Sequence, residues 1–174
     1  METIKIYVGT YAKYNSGSIF GKWLTIQDYD SLENLYKAMA KIHSDEEDPE
    51  YMIQDICGPS IVDELNLISE CHINKNIYEV IDAIENSNID LNIVEAYLKC
   101  FGFYEKDIEA LIENVEEAYC GEYNSDIDFV YDRLEIDGEI PENLPSYICI
   151  DWGKTAQCVM QDYVSDNDYY FRYL

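Results

Sequence analysis

Hydrophobic and polar positions alternate at the start of the chain and then shift to helical spacing, which predicts a small sheet followed by a helix. Residues 4–10 alternate as a strand does. Asn15-Ser16-Gly17 is a turn signal, and residues 18–26, with Phe20, Trp23, Leu24 and Ile26, predict a returning strand. Tyr11, Tyr14 and Trp23 are read either as packing of this sheet or as a surface aromatic cluster. Asp30-Ser31 offers a helix cap, and Leu32, Leu35, Tyr36, Met39 and Ala40 then share one helical face. Residues 51–56 predict a third strand, closed by Gly58-Pro59.

Helical spacing dominates the middle. Val62, Leu65 and Ile68 suggest a short helix; Ile77, Val80, Ile81 and Ile84 mark a second; Ile93, Val94, Tyr97 and Leu98 a third, ending near Gly102. A fourth is expected over residues 105–117, where Ile108, Leu111, Ile112 and Val115 make an apolar stripe. Four short helices in one stretch read as a small bundle. Residues 118–123 predict a short extended segment that turns at Gly121. Ser125 or Asp126 caps a further helix carrying Phe129, Val130 and Leu134. A turn near Pro141, a helical stretch near residues 154–160 and an aromatic ending, Tyr169-Tyr170-Phe171-Arg172-Tyr173, complete the chain. The elements are those of an α+β protein: an N-terminal antiparallel sheet plus helix over 1–58, a mostly helical middle over 59–114, and a C-terminal acidic α+β part over 115–174, a division into modules that rests on the resemblance given below.

Charge changes this picture more than any motif. The net charge is −25 over 174 residues, and 48% hydrophobic content is too high for an acidic disordered tail, so the charge sits on folded structure. Residues 105–142 alone hold fourteen acids against Lys106 and Arg133. Like charges at i,i+3 and i,i+4 spacing repel by roughly 0.2–0.5 kcal/mol per pair, so retaining them suggests that the field itself is used. Carboxylates four residues apart on a helix are spaced about 6 Å along its axis, given the ~1.5 Å rise per residue. Each DNA strand carries a phosphate every ~3.4 Å, so rows of such carboxylates on a rigid scaffold approach the charge density of a duplex. The charge pattern nominates Glu105, Glu109, Glu113, Glu116, Glu117, Glu122, Asp126, Asp128, Asp132 and Glu135 as phosphate stand-ins; a merely solvated acidic helix is the competing reading. Such a surface repels nucleic acid and anionic membranes and attracts basic proteins or cations.

Catalytic and metal signatures are absent from the sequence. There is no P-loop, GxGxxG, G-x-S-x-G or HExxH, and a protein with 36 acids has many accidental carboxylate pairs. The acidic run at residues 45–50 suits Ca²⁺ or Mg²⁺ by ligand type, but lacks the glycine and spacing of an EF-hand, so a solvated loop is expected. The Cys71-His72 pair and His43 lack further partners for a metal or nucleophile site. No enzyme, metal or cofactor is expected. The six cysteines form no CxxC pair, the start METIKIYVGT has no signal-peptide pattern, and no apolar run reaches the ~20 residues of a membrane span. Reduced, mostly buried thiols in a cytoplasmic protein are the expectation.

The motifs Ile6-Tyr7-Val8, Lys13-Tyr14-Asn15-Ser16-Gly17 and Gly21-Lys22-Trp23, in that order, resemble the opening of the ArdA antirestriction proteins. The acidic loop 45–50 followed by Gln54-Asp55 is similar to that family, as is Ala118-Tyr119-Cys120-Gly121-Glu122-Tyr123, then an acidic helix, then Pro141-Glu142-Asn143-Leu144. Residues 149–154 depart from the family's more acidic or aromatic pattern. The resemblance implies an elongated protein of three modules, carried on mobile genetic elements. It also implies a homodimer that mimics bent duplex DNA and occupies the DNA-binding groove of type I restriction-modification enzymes. DNA binding and cleavage would then be blocked, with inhibition of modification by the methyltransferase core left open by the resemblance. An acidic adaptor that sequesters a basic nucleoid or histone-like protein is the alternative, and a Ca²⁺ binder a third reading. For the dimer contact we expect apolar surface in the last module, at Trp152, Tyr163, Tyr169, Tyr170 and Phe171, with core packing of the same residues as the competing expectation.

Overall fold

The computed structural model describes residues 2–103 and 107–174. The chain is mixed α+β and divides into two compact units, Met1–Leu91 and Asn92–Leu174. The break falls inside the stretch 59–114 that the helical pattern marks as one module.

In the first unit, β1 (Lys5–Thr10) is the central strand of a three-stranded antiparallel sheet, flanked by β2 (Lys22–Thr25) and β3 (Tyr51–Cys57). Alternation along β1 buries Ile6 and Val8, with Ile4 just before them, and these meet the level of burial of Ile26, Leu35, Met39 and Ile53. The β1–β3 register slips between Tyr7 and Val8, where Tyr7 faces Asp55 and Val8 faces Ile53, so Gln54 is the extra residue of a bulge. A helix of barely more than one turn, α1 (Tyr11–Asn15), follows β1 and closes at Gly17, whose φ of +86° lies in the left-handed region that glycine adopts freely.

The returning strand is shorter than the expected 18–26. Pairing starts at Lys22 and ends at Thr25, after which Ile26–Asp28 form a 3₁₀ turn. Gly21 limits it: a methyl group there would strike the Val8 carbonyl oxygen, so the chain reaches β1 only through a glycine. Helix α2 (Leu32–Ile42) starts where expected, with the Ser31 hydroxyl accepting from the Asn34 amide.

Beyond β3, α3 (Ile61–Glu64) is a single turn, and Ile68 is not on it. Asn66 has φ 48°, a conformation asparagine tolerates better than most residues, and it turns the chain out of the helix. Ile68 instead belongs to a hairpin of β4 (Ile68–Ser69) and β5 (His72–Ile73), which the helical pattern did not suggest. The Ile53 amide donates to the Glu70 carbonyl at 2.7 Å and ties this hairpin to β3. Helix α4 (Ile77–Asn86) buries Ile77, Val80, Ile81 and Ile84, as its spacing predicts.

The second unit is built on another three-stranded antiparallel sheet, ordered β6 (Tyr119–Glu122), β8 (Tyr169–Arg172), β7 (Tyr163–Asp166). Helices α5 (Leu91–Phe101), α6 (Ile108–Ala118), α7 (Asp126–Ile136) and α8 (Trp152–Val159) accompany it. Successive side chains of β8 serve opposite faces. Tyr170 stacks on Phe129 of α7 at 4.7 Å, within a core that includes Val130 and Ala156. Phe171 meets Tyr97 and Phe101 of α5 at 5.7 and 6.3 Å. A sheet covered on both faces needs a continuous apolar strand, which accounts for the aromatic ending of the sequence.

Candidate functional site

The acidic stretch begins at a helix cap. Asp107 has extended backbone and its carboxylate accepts from the Ala110 amide at 2.9 Å, so α6 starts at Ile108, later than the expected 105. Glu105 lies outside the described residues. Leu111, Val115 and Ala118 are buried, and this fixes the rotation of the helix. Glu109, Glu113, Glu116 and Glu117 consequently face solvent. The last turn of α6 holds no base of its own, although acids there oppose the helix dipole. Arg172 of β8 supplies the missing cation, donating to the Glu117 carbonyl and carboxylate at 3.1 Å each.

Strand β6 then carries exposed Glu122 to α7. The Ser125 hydroxyl accepts from the Asp128 amide and donates to its carboxylate at 2.7 Å, which locks the first turn. Asp126 and Asp128 sit in that turn, where the dipole favours anions. Two tyrosines hold two of the carboxylates. The Tyr123 hydroxyl donates to Asp132 at 2.8 Å, and the buried Tyr170 hydroxyl donates to Asp126 at 2.8 Å. Burial first and the Asp126 bond second push the Tyr170 phenol well above its ordinary range, so it remains a donor.

Nine of the ten nominated carboxylates are therefore described, and only Asp132 is half-buried; the other eight are exposed. Among the described residues Glu109, Glu113, Glu116, Glu122 and Glu135 form no ion pair. The sequence nominated none of Asp107, Tyr123, Tyr170 and Arg172 as an anchor of these carboxylates; Tyr170 was expected at a dimer contact or in the core. Asp107 carried a legible signal, a capping residue just before an apolar stripe, but Tyr123 reaches Asp132 nine residues on, and Tyr170 and Arg172 act across the fold.

The aromatic residues nominated for a dimer contact separate by burial. Tyr170 and Phe171 are 3% and 0% exposed and belong to the core, so their side chains are not available to a partner. Trp152, Tyr163 and Tyr169 are half-buried. Trp152 packs edge-on against Tyr131 of α7 at 5.0 Å, and Tyr131 is 44% exposed.

In the first unit, the acidic run 45–50 is anchored at one end. His43, Asp45 and Glu46 place ligand atoms close enough together to hold a cation. The Lys13 ammonium lies among them, 2.8 Å from Asp45, 3.0 Å from Glu46 and 3.0 Å from His43 Nδ1. His43 is fully buried, and its Nε2 donates to the Val8 carbonyl, which leaves Nδ1 to accept from Lys13. The lysine of the Lys13-Tyr14-Asn15-Ser16-Gly17 motif thus does the work of a structural cation. Cys71 and His72 are both exposed in the β4–β5 hairpin and not on a helix. The thiols depart from expectation: Cys57, Cys71, Cys149 and Cys158 are exposed, and Cys100 and Cys120 are partly buried. Burial pushes the Cys100 thiol up to about 11. No described helix is long and apolar enough to cross a membrane.

Fold and surface together define a class, a strongly acidic α+β protein whose carboxylates are displayed on capped, packed helices. A family model described as Antirestriction protein (ArdA) matches residues 6–171, nearly the whole chain, so the chain belongs to the ArdA antirestriction family. That family consists of inhibitors and not of enzymes. Comparison with curated proteins found no match.

Proposed function

We propose that the acidic face of α6, β6 and α7 stands in for the phosphate backbone of DNA and occupies the DNA-binding groove of a type I restriction-modification enzyme. The observation that carries this reading is the run of mostly exposed carboxylates from Glu109 to Glu135, five of them without an ion pair among the described residues, on helices whose rotation is set by buried side chains. A DNA-binding groove gains affinity when its Lys and Arg neutralise phosphates. Carboxylates held at fixed positions offer the same bases an alternative anion. Bending a DNA site takes on the order of 1–6 kcal/mol, which a protein that starts in its final shape does not need to supply.

Two copies of the chain are proposed to act together, since a two-fold dimer doubles the acidic surface presented to a pseudo-symmetric groove. The contact is expected on apolar surface away from the carboxylates, with Trp152, Tyr163 and Tyr169 as its remaining nominated residues. The three-module division at 58/59 and 114/115 is likewise a proposal, open to limited proteolysis.

The direct test is competition between this protein and a DNA duplex for a purified type I methyltransferase core. Mutually exclusive binding supports the mimic. Simultaneous binding of both would contradict it and favour an adaptor that grips basic surface elsewhere.

A further inference from the structure

A cleft in the first unit points to a second mode of recognition, distinct from the acidic helices. Half open to solvent, it holds about 200 Å³ among β3, α2, the start of α1 and the β4–β5 hairpin, more than the roughly 150 Å³ that suffices for benzene in an engineered protein cavity. Tyr11, Tyr36 and Tyr51 line it together with Met39 and Ile53, and the β4–β5 hairpin closes one side with Cys71, His72 and Ile73. The rings of Tyr36 and Tyr51 lie 6.2 Å apart at 35°. Glu50 lines the opening, and the carboxylate of Glu70 lies next to it, accepting from the Tyr11 hydroxyl at 2.9 Å.

The arrangement is held from several directions. The Tyr11 amide donates to the Glu50 carbonyl at 3.0 Å, the Ile53 amide to the Glu70 carbonyl, and Thr10 faces Tyr51 in the β1–β3 ladder. The walls are therefore preset. Aromatic faces attract cations within about 6 Å, arginine most often, and neighbouring carboxylates add to the attraction. An anion would meet repulsion from Glu50, Glu70 and the protein's overall field. A neutral apolar ligand would leave the two carboxylates without a role.

We infer that this tyrosine-walled cleft receives a single cationic side chain, an arginine guanidinium, from a protein partner. A planar guanidinium can lie flat against one of these ring faces, and its five donors can reach Glu50 from there. The site would recognise a basic loop or terminus at a point well defined in space, whereas the carboxylates of α6 and α7 act as a spread field. Its existence does not depend on DNA mimicry.

The probe is N-acetylarginine methylamide, titrated into the full-length protein while the tyrosine ring and Met39 methyl resonances are followed by NMR. The matched citrulline compound, neutral and nearly isosteric, is the control. Saturable shifts at Tyr11, Tyr36, Tyr51 and Met39 with the arginine compound, and much smaller ones with citrulline, are expected. Tyr36→Leu keeps an apolar wall but removes a π face, and should weaken binding roughly two- to fivefold. Glu50→Gln should weaken it in the same direction. Both positions are exposed, and unchanged amide spectra elsewhere will show that the fold persists. Equal response to citrulline and arginine would overturn the proposal, as would shifts that do not saturate or that survive both substitutions. Competition with duplex DNA would be unaffected by such a failure, so the two readings can fail separately.

Discussion

The Lys13 ammonium touches three groups that would otherwise repel one another or lie unpaired: Asp45, Glu46 and His43, with the Phe20 ring 4.9 Å away. Its hydrogen bond holds the Asp45 carboxyl below the ordinary carboxylate range, and the Thr10 hydroxyl, followed by Lys13, does the same for Glu46. An unfolded chain therefore takes up protons at these sites before the folded one does. Their contribution to stability is present above about pH 4 and lost as the pH falls through the lowered values. Lys13 is itself raised, chiefly by Asp45, so its contribution is full below its ordinary range near ~10.4 and is lost as the pH rises from there through the raised value. Lys13→Met should lower the melting temperature at neutral pH and flatten its decline on the acid side. Thermal melts from about pH 5 to pH 3 check this; identical acid slopes in both proteins would contradict it. That Lys13 matters was legible as a motif residue. Its partners, about thirty positions along the chain, were not.

At the scale of elements, helix α6 depends on one cap. Asp107→Ala removes the acceptor for the Ala110 amide and should destabilise the second unit by about 0.5–2 kcal/mol. Denaturant unfolding measures this directly, and an unchanged midpoint would mean that packing alone holds the helix. Helices α2, α4, α5 and α6 were legible because four or more apolar residues recur at helical spacing in each, and α7 because a capping residue precedes Phe129, Val130 and Leu134. The β4–β5 hairpin was not, since two residues per strand show no period. The aromatic ending was ambiguous for a related reason: a strand buried on both faces reads like exposed apolar surface or a buried run alike. Exposure of the carboxylates followed from their position off the apolar stripes. Their fastening did not, because Tyr170–Asp126 and Arg172–Glu117 join residues 44 and 55 positions apart.

For the whole molecule, the charge is distributed: Met1–Leu91 carries 17 acids and 6 bases, and Asn92–Leu174 carries 19 and 5. Many acids sharing one task make each of them dispensable. Glu113→Gln alone should weaken inhibition by about 0.2–1 kcal/mol, the range of an exposed ion pair. Neutralising Glu109, Glu113, Glu116 and Glu135 together should weaken it far more. Inhibition assays on these variants decide the point, and complete loss from the single change would replace the distributed field with a hot spot. Two chains of net charge −25 repel, so light scattering should show the proposed dimer tightening as salt screens them over ~8–10 Å. A monomer at every salt concentration would count against the paired inhibitor. The central claim, that carboxylates replace phosphates, is tested most directly by the salt dependence of affinity for a type I methyltransferase core, measured beside a DNA duplex. Affinity should fall steeply with salt but with a shallower log–log slope than DNA, because no condensed counterion layer leaves the protein. Affinity indifferent to salt would contradict the account and point to an apolar interface.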